Sequence, residues 1–160
     1  MAEFKNAVVD LDRDPQDGTL ATHAGSYHTT HNSRDGRTLH VAFIWKVEEP
    51  DFKSRYSRVL GDHTQRYNHY YLQIDIPTDK VSNFNGRELA TPVRKLIADR
   101  DCLVWDTKER VAAVGPSICL EEDDRPCFVL PVSEETPHKF RFYFVRRKND
   151  QWERTAIAAT

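Results

Sequence analysis

Residues 27–47 read YHTTHNSRDGRTLHVAFIWKV, and this stretch decides the fold that we expect for the chain. Its centre, Asp35-Gly36, is the strongest short hairpin signal, because a tight primed turn needs positive φ at both central positions. Strands are therefore expected over Tyr27–Ser33 and Thr38–Val47, paired antiparallel across this turn.

The second arm of the hairpin alternates in a way that predicts two different faces. A period of two is typical of a strand that buries one face and leaves the other more polar. The set expected to point inward is Leu39, Val41, Phe43, Trp45 and Val47. The set expected on the more polar face is Thr38, His40, Ala42, Ile44 and Lys46.

Two helices and a series of strands are expected in the rest of the chain. Pro50–Leu60 has apolar residues at helical spacing, and a second helix is expected to begin with Thr91 as its N-cap and to end near Arg100. Longer strands are expected over Phe4–Asp12 and Arg66–Ile76. Turn residues then separate six short strands, Cys102–Asp106, Arg110–Val114, Ile118–Glu121, Cys127–Val132, Lys139–Arg147 and Trp152–Ala158.

This order of elements predicts an α+β fold, mainly antiparallel β-sheet in a sandwich or a partly open barrel, with two short helices. With 160 residues, the whole of 1–160 is expected to form a single globular domain. Charged residues make up 30% and aromatic residues 11% of the chain, which is typical of a folded protein. The formal net charge of −2 favours neither nucleic acid nor an acidic membrane as a partner.

The sequence predicts a cytoplasmic protein. Its N-terminus lacks the long apolar region of a secretory signal, and no apolar run approaches the ~18–20 residues of a membrane span. The three cysteines, Cys102, Cys119 and Cys127, are an odd number and are therefore expected to be reduced thiols. They also lack the paired spacing that structural zinc sites use.

Histidines are concentrated around the hairpin, at His23, His28, His31 and His40. The hairpin register places His31 directly opposite His40, with Cβ atoms roughly 5 Å apart. Neutral imidazoles bind divalent transition metals, and His23 is the candidate for a third ligand. One prediction is therefore a metal-dependent enzyme with a histidine-ligated site on residues 27–47. The alternative is a pair of exposed histidines on a polar sheet face, with no cofactor.

Two strands combine aromatic and basic side chains on one face. Tyrosine and arginine are enriched in the residues that dominate binding interfaces. The predicted binding surface consists of Tyr67, His69, Tyr71, Arg141, Tyr143 and Arg147. On the last of these strands, the opposite face is expected to lie in the core and carries Phe140, Phe142 and Phe144.

The leading functional prediction is a non-catalytic binding or assembly module that engages a protein partner, or other copies of itself, through these sheet faces. It is favoured because the chain contains no nucleophile elbow, phosphate-binding loop or dinucleotide-binding glycine motif. Single-stranded nucleic-acid binding is the weaker alternative, since a face of arginine and tyrosine can stack bases and hold phosphates.

Overall fold

The computed structural model describes residues 7–11, 24–47, 65–108, 110–112, 115–135 and 139–159. In this part of the chain, nine strands form two open antiparallel sheets. Sheet 1 contains, in spatial order, β1 (Ala24–Asn32), β2 (Thr38–Val47), β3 (Gln65–Asp75) and β4 (Lys80–Ser82), and β5 (Leu103–Trp105) also pairs with β3. Sheet 2 contains, in order, β6 (Ser117–Leu120), β7 (Pro126–Ser133), β8 (Phe140–Lys148) and β9 (Gln151–Ala159). The predicted class, a mainly antiparallel α+β fold, is confirmed.

The hairpin has the register predicted from its sequence, with His31 directly opposite His40. Its turn differs from the prediction, because of the two central residues only Gly36 has a positive φ, of 70°. The N–H of Gly36 donates to the Ser33 carbonyl at 3.0 Å. The Ser33 hydroxyl donates to the Asp35 carboxylate at 2.6 Å, which stabilises the bend locally. The loop is therefore a longer turn than a two-residue primed turn, with the same strand register.

Both faces of the central strands of sheet 1, β2 and β3, are covered, whereas the edge strand β1 is largely exposed. One face packs against residues 7–11 and 89–102, in a cluster centred on Phe43, Tyr70 and Leu72. The other face packs on sheet 2, through Ala42, Ile44 and Tyr71 of sheet 1 and Phe128, Leu130 and Val145 of sheet 2. The expectation of an exposed polar face around His40 is wrong, because sheet 2 covers that face and leaves His40 only 4% exposed.

The predicted second helix begins later and is shorter than expected. Helix α1 covers Lys95–Ile97 and continues as a π-helical turn over Ala98–Cys102. Thr91 is not its N-cap, because the following segment is extended: Val93 donates to the Val8 carbonyl at 2.8 Å and forms a parallel bridge with Val9. No helix in the described ranges has the length and apolar character to cross a bilayer.

Other predicted elements are described only in part. Of Phe4–Asp12 the structure describes residues 7–11, which form the bridge to Val93. The predicted helix Pro50–Leu60 lies outside the described residues. The predicted strand Arg110–Val114 is described only over residues 110–112. There Ala112 forms an isolated bridge with Val132, and these three residues do not form a regular strand.

The two faces of strand β8 are the reverse of the prediction: the face predicted to be exposed is the one that packs in the core. Val145 is buried in the core between the sheets, and the Tyr143 ring lies 4.9 Å from that of Trp105 in sheet 1. The face that also carries Arg141 and Arg147 therefore points toward sheet 1. The face predicted to be core is the outer one, and its three rings are half-buried: Phe140, Phe142 and Phe144.

Two of the three cysteines are paired. Cys119 and Cys127 lie directly opposite each other on β6 and β7 and form a disulfide with a Cα–Cα distance of 5.3 Å. The prediction of three reduced thiols is therefore wrong for this pair, which the sheet register brings together. Cys102 is a buried free thiol.

His69 is an unusual component of the core between the sheets. It is fully buried, its ring meets that of Phe128 edge-on at 4.4 Å, and neither ring nitrogen has a hydrogen-bond partner among the described residues. Burial lowers the pKa of His69 to about 3, because a charged imidazolium is costly to desolvate. In the unfolded chain the same group has a pKa of ~6.5.

We predict that His69→Leu stabilises the protein by about 1 kcal/mol at neutral pH, because it removes buried polar atoms that lack partners. Between pH ~6.5 and pH 3 the unfolded chain binds a proton that the folded His69 does not, so wild-type stability falls as the pH is lowered. The variant lacks this contribution, which amounts to at most about 1.4 kcal/mol per pH unit.

Urea unfolding of both proteins at several pH values measures this difference. His31→Leu is the matched control, because it makes the same replacement at an exposed histidine of the same sheet. Parallel pH profiles for the wild type and His69→Leu would contradict the prediction.

Candidate functional site

A cleft of about 340 Å³ opens where the turn after β4 approaches strands β8 and β9. Phe84 comes from that turn, Arg147 from β8 and Trp152 from β9. Tyr71 of β3 also lines the cleft, although its side chain is almost wholly buried. Aromatic, basic and hydroxyl groups from both sheets therefore meet at this point.

Arg147 is the central cation of the cleft. Its guanidinium carbon lies 4.0 Å from the ring centre of Phe84 and 5.9 Å from that of Trp152, which are distances of cation–π contact. Its side chain is 11% exposed, and its Nε has no hydrogen-bond partner among the described residues. Its ion pair with Asp150, at 3.4 Å, involves a carboxylate that is 97% exposed and is therefore weak. An anionic ligand would meet a largely desolvated guanidinium here.

Two further arginines lie at the rim of the cleft. Arg87 and Arg100 contact the same carboxylate, Asp101, at 2.9 Å and 2.7 Å. The hydrogen bond from Arg100 holds the pKa of Asp101 below its usual value, so this carboxylate stays charged and neutralises one of the two cations. With Arg147, the cleft keeps an excess of positive charge that attracts anions.

A buried hydrogen-bonded pair lies at the base of the cleft. The Nδ1 atom of His40 and the hydroxyl of Tyr71 are 2.6 Å apart. The Tyr71 hydroxyl also donates to Gln73 Oε1 at 3.3 Å, and Gln73 donates in turn to the Ser82 hydroxyl at 3.2 Å. Burial lowers the pKa of His40 and raises the pKa of Tyr71. Both groups are therefore neutral near pH 7.

The structure brings together only two of the residues predicted as a binding surface, Tyr71 and Arg147. His69 and Tyr67 are buried, at 0% and 4% exposure. Tyr67 packs beside Trp45, with ring centres 5.9 Å apart. Both side chains were expected on one exposed face, but sheet 2 covers His69, and a β-bulge pairs Tyr67 with Trp45 in a separate apolar cluster.

The remaining two predicted surface residues do not line the cleft. Arg141 forms an ion pair with Glu134, and Tyr143 packs on Trp105 between the sheets. Of the residues on this face of β8, Arg147 is therefore the one that lines the cleft.

The two opposed histidines of the hairpin have different surroundings. His31 is exposed, and its Nδ1 lies 2.7 Å from the Asn32 carbonyl oxygen. His40 is buried and contacts Tyr71. Within the described ranges no three His, Cys, Asp or Glu side chains converge on a point that suits a metal, and His23 lies outside those ranges.

Sequence reasoning missed the aromatic wall and the rim of the cleft, formed by Phe84, Trp152, Arg87, Arg100 and Asp101. A local signal was present in Asn83-Phe-Asn-Gly86, since asparagine and glycine are turn residues. The Asn83 side chain accepts from the backbone N–H groups of Asn85 and Arg87, both at 3.0 Å, and Gly86 has a φ of 76°. The resulting turn places Phe84 in the cleft.

No family model and no curated protein matches this chain. Solved structures that share its fold include a polysaccharide lyase PL25, an ulvan lyase, with a TM-score of 0.67 and 18% identity over 82% of this chain. They also include a PL25 ulvan lyase bound to -[GlcA(1-4)Rha3S]-, with a TM-score of 0.67 and 20% identity over 82% of this chain. In both cases this chain spans 30% of the length of the matched structure.

This match contradicts the prediction of a non-catalytic module that engages a protein partner, because the structures that share the fold are those of an enzyme. The two alternatives, a metal-dependent enzyme built on the hairpin and a protein that binds single-stranded nucleic acid, gain no support from it.

The bond between His40 and Tyr71 leads to a prediction about stability. Tyr71→Phe keeps the ring but leaves His40 Nδ1 buried without its partner, so we expect a loss of about 1–2 kcal/mol in the free energy of unfolding. Urea denaturation measures this loss. Tyr143→Phe is the matched control, a half-buried tyrosine of sheet 2 for which we expect a smaller change. Equal stability of the two variants would count against the importance of the buried pair.

Proposed function

We propose that this chain acts as a polysaccharide lyase, and that its cleft binds a uronate residue of an acidic polysaccharide. The observation that carries the proposal is the fold match to ulvan lyase over 82% of the chain at a TM-score of 0.67. One of the matched structures is bound to a saccharide that contains GlcA, a uronic acid. The chemistry of the cleft is consistent with such a ligand.

Binding of a uronate uses both kinds of side chain in the cleft. The guanidinium of Arg147 can bind the carboxylate through paired hydrogen bonds. The rings of Phe84 and Trp152, whose centres are 5.2 Å apart, offer apolar surface to the C–H groups of a sugar ring. A volume of about 340 Å³ is of the size that small-ligand sites have.

A lyase cleaves the chain of sugars by β-elimination. A base removes the proton from C5 of the uronate, the C4–O bond breaks with its electrons going to the leaving oxygen, and a double bond forms between C4 and C5. The leaving oxygen takes up a proton. The reaction needs a cation to stabilise charge that develops on the carboxylate and a group that transfers protons.

Two features of the cleft fit these needs. We assign charge stabilisation to Arg147, which is held between two aromatic rings and is largely desolvated. We assign to Tyr71 the donation of a proton to the leaving oxygen, because burial keeps its phenol neutral and its hydroxyl is bonded to His40. His40 then acts through Tyr71 as a positioning residue.

The test is turnover of ulvan, followed by the ultraviolet absorbance of the C4–C5 double bond. Arg147→Gln is expected to lower kcat/KM by about 10²-fold, because it removes the cation that faces the developing charge. Tyr71→Phe is expected to lower kcat more than it raises KM, since a proton-transfer group contributes mainly in the transition state.

Arg141→Gln is the matched control, because Arg141 lies on the same strand and forms an ion pair with Glu134 outside the cleft. It should retain wild-type turnover. A neutral polysaccharide should give no unsaturated product. Failure of the wild-type protein to produce unsaturated uronate from ulvan, or equal turnover by Arg147→Gln and the wild type, would overturn the proposal.

A further inference from the structure

We infer that Arg87 and Arg100, at the rim of the cleft, bind a sulfate ester that the polysaccharide carries next to its uronate. Such a site selects sulfated acidic polysaccharides over unsulfated ones. The inference rests on the proposed function, because it assigns a second anionic group of the same substrate to the same cleft. Neither arginine has a part in the elimination step itself.

The rim carries two cations and one buried carboxylate. Arg87 Nη1 is 2.9 Å from Asp101 Oδ1, and Arg100 Nη2 is 2.7 Å from Asp101 Oδ2. The Asp101 side chain is 5% exposed, whereas the side chains of Arg87 and Arg100 are 60% and 64% exposed. In the described ranges Asp101 is the only carboxylate that pairs with either arginine. A buried carboxylate needs one cation, so one positive charge at the rim remains for a ligand.

Asp101 also fixes the orientation of both guanidinium groups. Arg100 donates to Asp101 Oδ2 through Nε at 3.1 Å and through Nη2 at 2.7 Å, and Arg87 donates to Oδ1 through Nη1 at 2.9 Å. A guanidinium has five N–H donors, and within the described part of the chain these bonds use one donor of Arg87 and two of Arg100. A cation that is already oriented loses less side-chain entropy when a ligand binds.

The backbone of the rim is held by a second buried side chain, that of Asn83, which is 6% exposed. Asn83 Oδ1 accepts from the backbone N–H of Arg87, and Asn83 Nδ2 donates to the backbone carbonyl of Asp101, both at 3.0 Å. These bonds join the turn after β4 to the π-helical turn that carries Arg100 and Asp101. Both arginines are therefore presented to the cleft by one connected frame.

A sulfate ester fits these donors better than a second carboxylate does. A carboxylate has two oxygens, which the fork of a single guanidinium satisfies. A sulfate ester has three terminal oxygens and can accept from two guanidinium groups at once. It also keeps one negative charge at neutral pH, which matches the one positive charge left over at the rim.

The rim and the interior of the cleft suit different anions. Arg147 is 11% exposed and lies against the ring of Phe84, so an anion that binds it is largely desolvated. The two rim arginines are more than half exposed, so an anion that binds them stays partly hydrated. A group held in this way contacts the protein equally in the ground state and in the transition state. It is therefore expected to lower KM and to leave kcat unchanged.

The test compares ulvan before and after chemical removal of its sulfate esters, at constant ionic strength. Calorimetry with the wild-type protein should show binding of intact ulvan about tenfold tighter than binding of the desulfated polymer, because a charge-assisted contact is lost. Arg87→Gln and Arg100→Gln should each bind intact ulvan about tenfold more weakly than the wild type does. Both variants should bind the desulfated polymer as the wild type does, and turnover should show the same differences in KM.

Arg37→Gln is the matched control. It removes one positive charge from an exposed arginine of the β1–β2 turn, which does not line the cleft, and it should keep the preference for intact ulvan. Each rim variant leaves Asp101 paired with the other arginine, so the buried carboxylate retains a partner. Thermal unfolding of every variant checks that each has folded, and the comparison of the two polymers with the wild type needs no variant.

The outcomes separate this site from the lyase activity. A preference for intact ulvan in binding that both rim variants lose supports the inference, and absence of cleavage would then overturn the lyase activity alone. Equal binding of the two polymers by the wild type overturns the sulfate site, even if the uronate is cleaved. A preference that either rim variant keeps in full, or that Arg37→Gln loses to the same extent, overturns it as well. Failure of the wild type to bind either polymer overturns both.

Discussion

The central strands of sheet 1, β2 and β3, lie between two apolar layers, and the positions of the candidate site residues follow from that arrangement. In β2, the four successive residues from Val41 to Ile44 are all 7% exposed or less, so neither face of the strand meets water. Each fully buried aliphatic or aromatic side chain contributes on the order of 1.5–3 kcal/mol to the favourable side of folding. Sheet 2 packs on one of these faces, and its position determines which polar side chains are buried and which lie at the rim of the cleft.

Several polar side chains lie in the apolar layer between the two sheets. His40, His69 and Tyr71 are all nearly or fully buried there. A buried polar group is costly unless it is hydrogen-bonded, and the structure meets this need for His40 and Tyr71 through their mutual bond. That pair lies at the base of the cleft, which Tyr71 lines. His69 has no such bond within the described residues.

The net charge of the whole chain gives little indication of where basic side chains collect. The protein is formally −2 overall, yet two clusters of basic and aromatic side chains occur on it, one around Arg147 and one around Tyr27. In both, an aromatic ring lies against a cation and helps to keep it in place while part of its hydration is removed. Local fields of this kind depend on which side chains the fold brings together and not on their total number.

Most of the strands, and the pairing of the first hairpin, could be predicted from local sequence alone, although β4 was missed. Asp35-Gly36 and the alternation that follows it gave the register that places His31 opposite His40, because a turn signal and a period of two act over a few residues. The strands of sheet 2 were located for the same reason. Only the tertiary structure decided that His40 is buried, that β8 turns Arg147 and not its three phenylalanines toward sheet 1, and that residues near Thr91 are extended. These outcomes depend on what packs over a strand from elsewhere in the chain. A period of two shows that the faces differ, but it does not show which face another layer will cover when both carry large side chains.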